Sequence, residues 1–360
     1  MRRRLALALA VAAALSAVAP AARAATASSP IPMLAYYYIW FNPSSWDRAK
    51  RDYPLLGRYS SDEQRVMQTH IRWAKAAGIQ GFLVSWKDTP VLDRRLTKLV
   101  SAANAEHFKL GIVYQGLDFY RRPRPVGAIA SDLDYFARRF AHAPAFRLYP
   151  KPLVIWSGTW EYSPAQVASV TRGRRDKLML LASERNAQDY SKLAGSVDGD
   201  AYYWSSVNPQ TYPSYPQKLH ELGDAVHAHR GLWIPPVAPG FDARMIGGTK
   251  TVTRQNGTTL RRELAAASRS NPDAFGLISW NEFSENSHVE PSRRYGRRAL
   301  QVLAEARHAS VPAAPEVDSS DPGPADAASG VPLAAGIGGF LAIGLALIAW
   351  RTRRRLERLP

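Results

Sequence analysis

The stretch FGLISWNEFSENSHVEPS, residues 275–292, opens as an apolar run and closes with three glutamates, Glu282, Glu285 and Glu290, inside nine positions. A short apolar run that ends in aromatic and polar side chains reads as a buried strand delivering its last residues to a rim. Seven similar runs precede it, at 33–39, 81–86, 110–115, 153–157, 178–183, 201–205 and 232–237. Helical periodicity follows each of them, at 61–77, 91–106, 129–142, 164–171, 189–193, 213–229 and 259–268, and a last helix is expected over 292–307 after the eighth run. The fifth helix is the shortest. Eight strand-then-helix units over roughly 280 residues predict an α/β fold, a (β/α)8 TIM barrel, with its body at 30–308.

Such barrels carry their chemistry at the C-terminal ends of the strands. Those ends hold Tyr38 and Trp40, then Trp86, Lys87 and Asp88, then Tyr114, Trp156, Glu184 and Trp204, and finally Trp280, Asn281 and Glu282. Any one of these aromatics alone reads equally well as packing. Their recurrence at nearly every strand end points to a cleft that stacks on sugar rings, with all of them as candidate substrate-binding residues.

Cleavage of a glycosidic bond needs a carboxylic acid to protonate the leaving oxygen and a carboxylate to assist. Glu282 leaves the eighth strand and Glu285 follows three residues on, so this pair is the candidate catalytic pair. Asn281 offers an amide for a hydroxyl, Trp280 an apolar wall, and His288 and Glu290 lie close enough in sequence to join the site. The competing reading is that a loop glutamate caps the helix expected near Ser292, or pairs with Arg293 and Arg294. For Glu290, which lies nearest that helix, both readings stay open. Glu285 and His288 also form a Glu-x-x-His, but no second copy accompanies it, so no metal is expected. A His-Glu-x-x-His, a Gly-x-Ser-x-Gly and a P-loop are all absent from the sequence.

The two ends and the composition narrow the setting. Arg2, Arg3 and Arg4, an apolar run and Ala22-Arg23-Ala24 make residues 1–24 read as a signal peptide. Residues 309–330, with four prolines, read as a Pro/Ala-rich linker. Residues 331–350 carry no charge and have the length of a transmembrane helix. The five arginines of 351–360 then mark a basic cytoplasmic tail, which places the body outside a cell membrane. The chain has no cysteine, which removes disulfides, zinc-thiolate sites and thiol nucleophiles. Its net charge of +17 leaves the body about +13 once the ends are set aside. Such a surface favours anionic envelope polymers or lipid headgroups, while export and the lack of a zinc-finger or RNP-type motif argue against nucleic acid. The oligomeric state stays open.

WNEFSENSHVEPS, residues 280–292, resembles the Trp/Phe-Asn-Glu-Trp-x-Glu-Gly-x-x-x-Glu-Pro motif of glycoside hydrolase family 99, the endo-α-mannosidases, and of the related family 71/99-like group. AYYYIWFNP at 35–43 is similar to that family's first-strand opening, and AGIQGFLVSW at 77–86 to its second strand. The resemblance implies a (β/α)8 barrel, retaining cleavage within an α-mannan chain, and no cofactor. By motif position Glu282 would withdraw the proton of the substrate's 2-hydroxyl and Glu285 would protonate the leaving group, through a 1,2-anhydro sugar. The sequence departs from the family pattern at Phe283 for tryptophan, Asn286 for glycine, Ile39 for proline and Gln80 for aspartate, and carries the unusual Lys87-Asp88. The reading is a membrane-anchored, outward-facing glycosidase acting on an α-linked polysaccharide, most simply α-mannan. An α-1,3-glucanase on the same barrel and a non-catalytic glycan-binding barrel are the alternatives. A glycosyltransferase is disfavoured because activated nucleotide sugars are cytoplasmic.

Overall fold

The computed structural model describes residues 30–310 apart from residue 119. The expected signal peptide, membrane span, tail and all but the first two positions of the linker lie outside the described residues. Among those described, no helix is long and apolar enough to cross a membrane.

The strands are β1 (Met33–Tyr38), β2 (Gly81–Trp86), β3 (Lys109–Gln115), β4 (Leu153–Ser157), β5 (Met179–Leu181), β6 (Gly199–Ala201), β7 (Leu232–Ile234), β8 (Pro236–Val237), β9 (Phe241–Asp242), β10 (Thr251–Val252) and β11 (Phe275–Leu277). Seven of them form a parallel sheet in the order β5-β4-β3-β2-β1-β11-β8. β7 runs into β8 across Pro235 and pairs in parallel with β6. The Ala182–Asp200 bridge joins β6 to the end of β5. The sheet is therefore curled on itself in the manner of a (β/α)8 fold.

The expected strand at 232–237 is split because Pro235 and Pro236 have no N–H to donate, so the ladder skips there. Gly276 N–H still donates to Pro235 O at 2.9 Å, which keeps the two halves in one line. The expected sixth strand at 201–205 lies earlier, at 199–201, where Gly199 (φ 151°) brings its backbone against Leu232 so closely that a Cβ would meet the Leu232 carbonyl oxygen at 2.1 Å. The antiparallel pair β9–β10 was not legible as strands, since each is two residues long.

The helices are α1 (Gln64–Ala76), α2 (Pro90–Ala105), α3 (Val126–Arg139), α4 (Pro164–Thr171), α5 (Ala187–Leu193), α6 (Tyr215–Ala228), α7 (Thr258–Ser268) and α8 (Arg298–Arg307). Local chemistry sets several of their starts. Thr89 caps α2 through Leu92 N–H, Ser163 and Gln166 form a reciprocal capping box on α4, and Asn186 caps α5 through Asp189 N–H. α8 begins at Arg298, not near residue 292, because 292–296 is closed as a turn by Ser292 and Gly296.

Period-two alternation sorts the strand residues into two cores. Leu34, Tyr36, Leu83, Val113, Ile155 and Ile234 fill the inside of the curled sheet. Tyr37, Phe82, Val84, Ile112, Val154 and Trp233 face the helices. Buried Arg95 on α2 ties the loop after β1 to this frame, donating to Ile39 O at 3.0 Å, to Asn42 and to Asp62. The guanidiniums of Arg94 and Arg95 hold Asp62 well below the usual carboxylate range.

Candidate active site

The last strand ends in a loop anchored at both sides. Trp280 N–H donates to Tyr36 O at 2.7 Å, and the returning chain donates to Trp280 O from Val289 N–H at 3.0 Å and Glu290 N–H at 2.9 Å. Between these points the chain makes a tight excursion carrying Glu282 and Glu285. Asn281 lies at its base with no exposed surface. Its Oδ1 accepts from Tyr38 N–H at 2.9 Å and its Nδ2 donates to Tyr38 O at 3.0 Å, so the amide acts as an extra rung between β1 and the last strand. That occupies the polar atoms expected to bind a substrate hydroxyl. Asn286 takes φ 52°, the left-handed region where glycine is the easiest residue and asparagine next. The departure from the family's glycine is therefore the substitution this backbone tolerates best.

Both glutamates are buried, and their surroundings differ. Glu282 accepts from Ser284 N–H at 2.8 Å, and its own N–H donates to Ser279 Oγ at 2.8 Å. Burial raises Glu282 to about 7, against the opposing pull of the Ser284 hydrogen bonds and Lys50. Among the described residues neither carboxyl oxygen of Glu285 has a hydrogen-bond partner. Burial first, then the charge of Glu282, pushes Glu285 well above the ordinary glutamate value, with only Arg121 pulling it back. Two neighbouring carboxyls thus sit in unlike surroundings, one with a hydrogen bond that favours its charge and one without, which is how one site supplies both an acid and a base.

Tyr38 and Tyr203 join hydroxyls beside this pair. Burial raises both phenols far above 10, with the charges of Glu282 and Glu285 adding to the shift, so both remain protonated donors. Lys50 approaches from the loop after β1, where burial lowers it to about 8 while Glu282 opposes that fall. Trp40 is half-buried and stacks on Tyr38 at 4.3 Å. Trp204, also half-buried, faces Arg185, whose guanidinium lies 5.5 Å from its ring and 4.3 Å from that of Trp160.

The other sequence candidates separate from this group. Trp86, Tyr114, Trp156 and Trp280 are at most 2% exposed and belong to the layer between sheet and helices. Trp86 Nε1 donates to Asp93 of α2 at 2.9 Å, and Tyr114 OH to Asp132 of α3 at 2.9 Å. Strand parity sends Trp86, Tyr114 and Trp156 outward, and Trp280, beyond the end of β11, packs against His70 and Phe82 at 5.5 and 5.4 Å, so all four pack the barrel and do not line a cleft. Glu184 is buried, its N–H donating to Asp200 at 2.7 Å. Lys87 is half-buried and Asp88 exposed at the end of β2.

Glu290 neither caps a helix nor meets solvent. It accepts from Tyr59 OH at 2.9 Å and lies 3.1 Å from His70 Nε2, while His70 Nδ1 meets Tyr37 OH at 3.0 Å. His288 stacks on Phe283 at 3.9 Å and places Nε2 3.1 Å from Asp52. Burial, helped by Arg254, lowers His288 to about 4, so the ring is neutral near pH 7. Both residues brace the acidic loop from beneath. Among the described residues no group of three or more histidines, aspartates and glutamates is placed to hold a metal ion.

Sequence reasoning missed Tyr203, Lys50, Arg121, Trp160 and Arg185. Tyr203 carried a usable signal, since it lies two positions beyond inward-facing Ala201. Lys50, Arg121 and Arg185 lie in loops, and Trp160 in a single 3-10 turn (Thr159–Glu161), whose paths no periodicity reports.

A curled parallel sheet with two buried carboxyls in unlike surroundings on the loop after its last strand defines a protein of the glycoside-hydrolase barrel class. The family model of glycosyl hydrolase family 99 matches residues 41–306, and the chain belongs to that family. The glycoprotein endo-alpha-1,2-mannosidase of Mus musculus is 25% identical over 271 residues, covering 66% of this chain and 56% of the relative. That of Rattus norvegicus is 23% identical over 266 residues, with the same coverage. The chain thus spans a little over half the length of these curated relatives. Among solved structures, the GH99 endo-alpha-mannosidase from Bacteroides thetaiotaomicron aligns with a TM-score of 0.66 at 20% identity, covering 77% of this chain and 97% of that one. A glycoside hydrolase-like protein aligns at 0.60 and 17% identity, over 76% and 93%. The family read from the motifs at 35–43, 77–86 and 280–292 is the one the family model identifies.

Proposed function

We propose that the protein is an endo-acting glycoside hydrolase that cleaves α-mannan with retention through a 1,2-anhydro sugar, with Glu282 as base and Glu285 as acid. The observation that carries this reading is the unlike surroundings of the two buried carboxyls, one accepting a backbone N–H and the other without a hydrogen-bond partner among the described residues. Glu282, at about 7 and accepting from Ser284 N–H, is a base with appreciable carboxylate at neutral pH, while Glu285, raised well above the ordinary value and buried beside Glu282 with no hydrogen-bond partner among the described residues, is the group placed to carry a proton to the leaving oxygen. Family membership and the endo-mannosidase relatives support the substrate class.

In an α-mannoside the 2-hydroxyl is axial and anti to the leaving group. Glu282 takes its proton, O2 attacks C1 from the back, and the C1–O bond breaks as Glu285 passes its proton to the leaving oxygen. Water then opens the three-membered ring at C1, giving its proton to Glu285 while Glu282 returns a proton to O2. Two inversions give net retention. An α-glucoside, with O2 cis to the leaving oxygen, has no such back-side route. Tyr38 and Tyr203 supply hydroxyls at the pair, and Trp40 and Trp204 supply faces for flanking sugars.

Export through residues 1–24 and anchoring through residues 331–350 belong to the same proposal and are tested by fractionation of cells carrying the full chain. The activity is tested by reducing-end release from α-mannan and α-1,3-glucan, with Glu285→Gln beside the native chain. Release from mannan that vanishes in the variant supports the reading. Release from glucan alone overturns the 2-hydroxyl route, and binding of mannan without turnover favours a glycan-binding role.

A further inference from the structure

A second cavity, of about 630 Å³, adjoins the acidic loop on its other side. Its charged lining consists of Arg51, Arg244, Arg254, Arg294 and Arg298 against one carboxylate, Asp242. Asp242 is taken up by two of these arginines, at 2.7 Å from Arg244 and 3.2 Å from Arg51. Arg254, Arg294 and Arg298 make no ion pair with a carboxylate among the described residues. Five guanidiniums around one neutralised carboxylate leave a strongly positive concavity, and guanidinium is the side chain best shaped for oxyanions.

The topology places this cavity at the mouth of the barrel. Arg51 follows β1, Arg244 and Arg254 follow β8, and Arg294 follows β11, so all come from loops on the side where the strands end. α7 and α8 begin at its wall, after Gly257 and Arg297, and neither has an acidic residue in its first turn or a side-chain cap. Their dipoles add to the positive field. The loops after strands seven and eight, with a helix start between them, are where (β/α)8 barrels commonly bind phosphate.

A second observation concerns Arg254, which lines the cavity while only 9% exposed. Its Nη2 donates to Asn286 O at 2.9 Å and His288 O at 2.7 Å, yet its buried Nε has no hydrogen-bond partner among the described residues. Burial brings Arg254 down to about 10, still cationic at neutral pH. Tyr295 packs its ring 4.1 Å from the guanidinium carbon. Asp52, the carboxylate whose charge acts on Arg254, is itself engaged by His288 Nε2 at 3.1 Å and Arg294 N–H at 2.8 Å. A buried arginine with a spare donor, held in a cation-rich cavity without an ion-pair partner, is arranged for an oxyanion.

We propose that this cavity binds a phosphate group, either free or carried as a monoester on the glycan in the neighbouring cleft. The cavity shares a wall with the acidic loop: Asn286 lines it, and Asp242 N–H donates to Glu285 O at 2.7 Å. The glycan-borne form rests on the hydrolase reading above; binding of the oxyanion itself does not.

The test titrates inorganic phosphate into the full chain by calorimetry, using the native protein, Glu285→Gln, Arg294→Glu and Arg254→Lys. Arg294 is exposed, so its reversal leaves folding intact, as an unchanged Tm verifies. Equal binding by the native chain and Glu285→Gln, weakened tenfold or more by Arg294→Glu, supports the site whether or not the chain turns over mannan. Absence of phosphate binding by the native chain, or binding that neither arginine variant alters, overturns it. Hydrolysis of phosphorylated and neutral α-mannooligosaccharides then separates the sources. A kcat/KM preference for the phosphorylated substrate that Arg294→Glu abolishes, with the neutral substrate unaffected, assigns the phosphate to the glycan. Phosphate binding without that preference assigns a free oxyanion.

Discussion

Tyr38 and Trp86 both end strands of the same parallel sheet, and both are buried aromatics, yet they do different work. Tyr38 joins hydroxyls with Tyr203 beside two carboxyls, while Trp86 donates to Asp93 on a helix and meets Phe136 and Phe140 of the outer layer. The difference is the face of the sheet each side chain leaves from. At a barrel rim the residue type is a weak guide to role, because the same aromatics serve packing on one face and ligand contact on the other. Parity along the strand decides between them.

Removing the groups that the inner face presents should affect chemistry and spare stability. Glu285→Gln is expected to lower kcat by about 10³-fold, or roughly 4 kcal/mol of barrier, read by reducing-end assay on mannan. Because its carboxyl is raised in the folded state, the charged form opposes folding, and stability is lost as pH rises through the folded value. The glutamine variant should therefore have an unchanged or higher Tm under alkaline conditions. A fall in Tm with retained activity would reverse the assignment.

The outer face should respond in the opposite sense. Trp86→Ala is expected to cost about 3–5 kcal/mol in denaturant unfolding. The folded fraction should keep its KM, and a rise in KM at unchanged stability would return Trp86 to the cleft. Tyr203→Phe sharpens the contrast from the inside, with about a tenfold loss in kcat and less than about 1 kcal/mol in stability.

The pH profile probes the pair itself. Activity needs Glu282 ionised and Glu285 protonated, so kcat/KM should rise with pH through about 7 and fall at higher pH once Glu285 ionises. A profile that is flat across this range would remove the acid–base pairing. The smallest expected effect is at Asn286. Asn286→Gly should change stability by about 1 kcal/mol or less, since glycine suits φ 52°, while Asn286→Val should cost more because a β-branched residue resists that region.

Much of the architecture was legible. The runs at 81–86 and 153–157 match β2 and β4 residue for residue, and 164–171 matches α4, because period-two and period-3.6 patterns and Pro or Ser starts are local signals. The eighth strand and its acidic loop were legible for the same reason. Asn281, His288 and Glu290 were assigned to the substrate, yet their polar atoms are engaged by Tyr38, Asp52, Tyr59 and His70. Those partners lie more than 200 residues away in sequence, and no local pattern reports such distances.

The sequence by itself determined the order of strands and helices, the family, and the placing of Glu282 and Glu285 on the loop after the last strand, because each follows from side-chain patterns over a few neighbouring residues. The tertiary structure alone decided which rim aromatics face the acids, that burial raises both carboxyls while only Glu282 gains a backbone hydrogen bond, and that four arginines from three loops and one from the start of α8 surround one cavity. Burial and charge act through space, and closing the sheet brings residues 50, 203 and 285 into one field while turning Trp86 and Trp280 away from it.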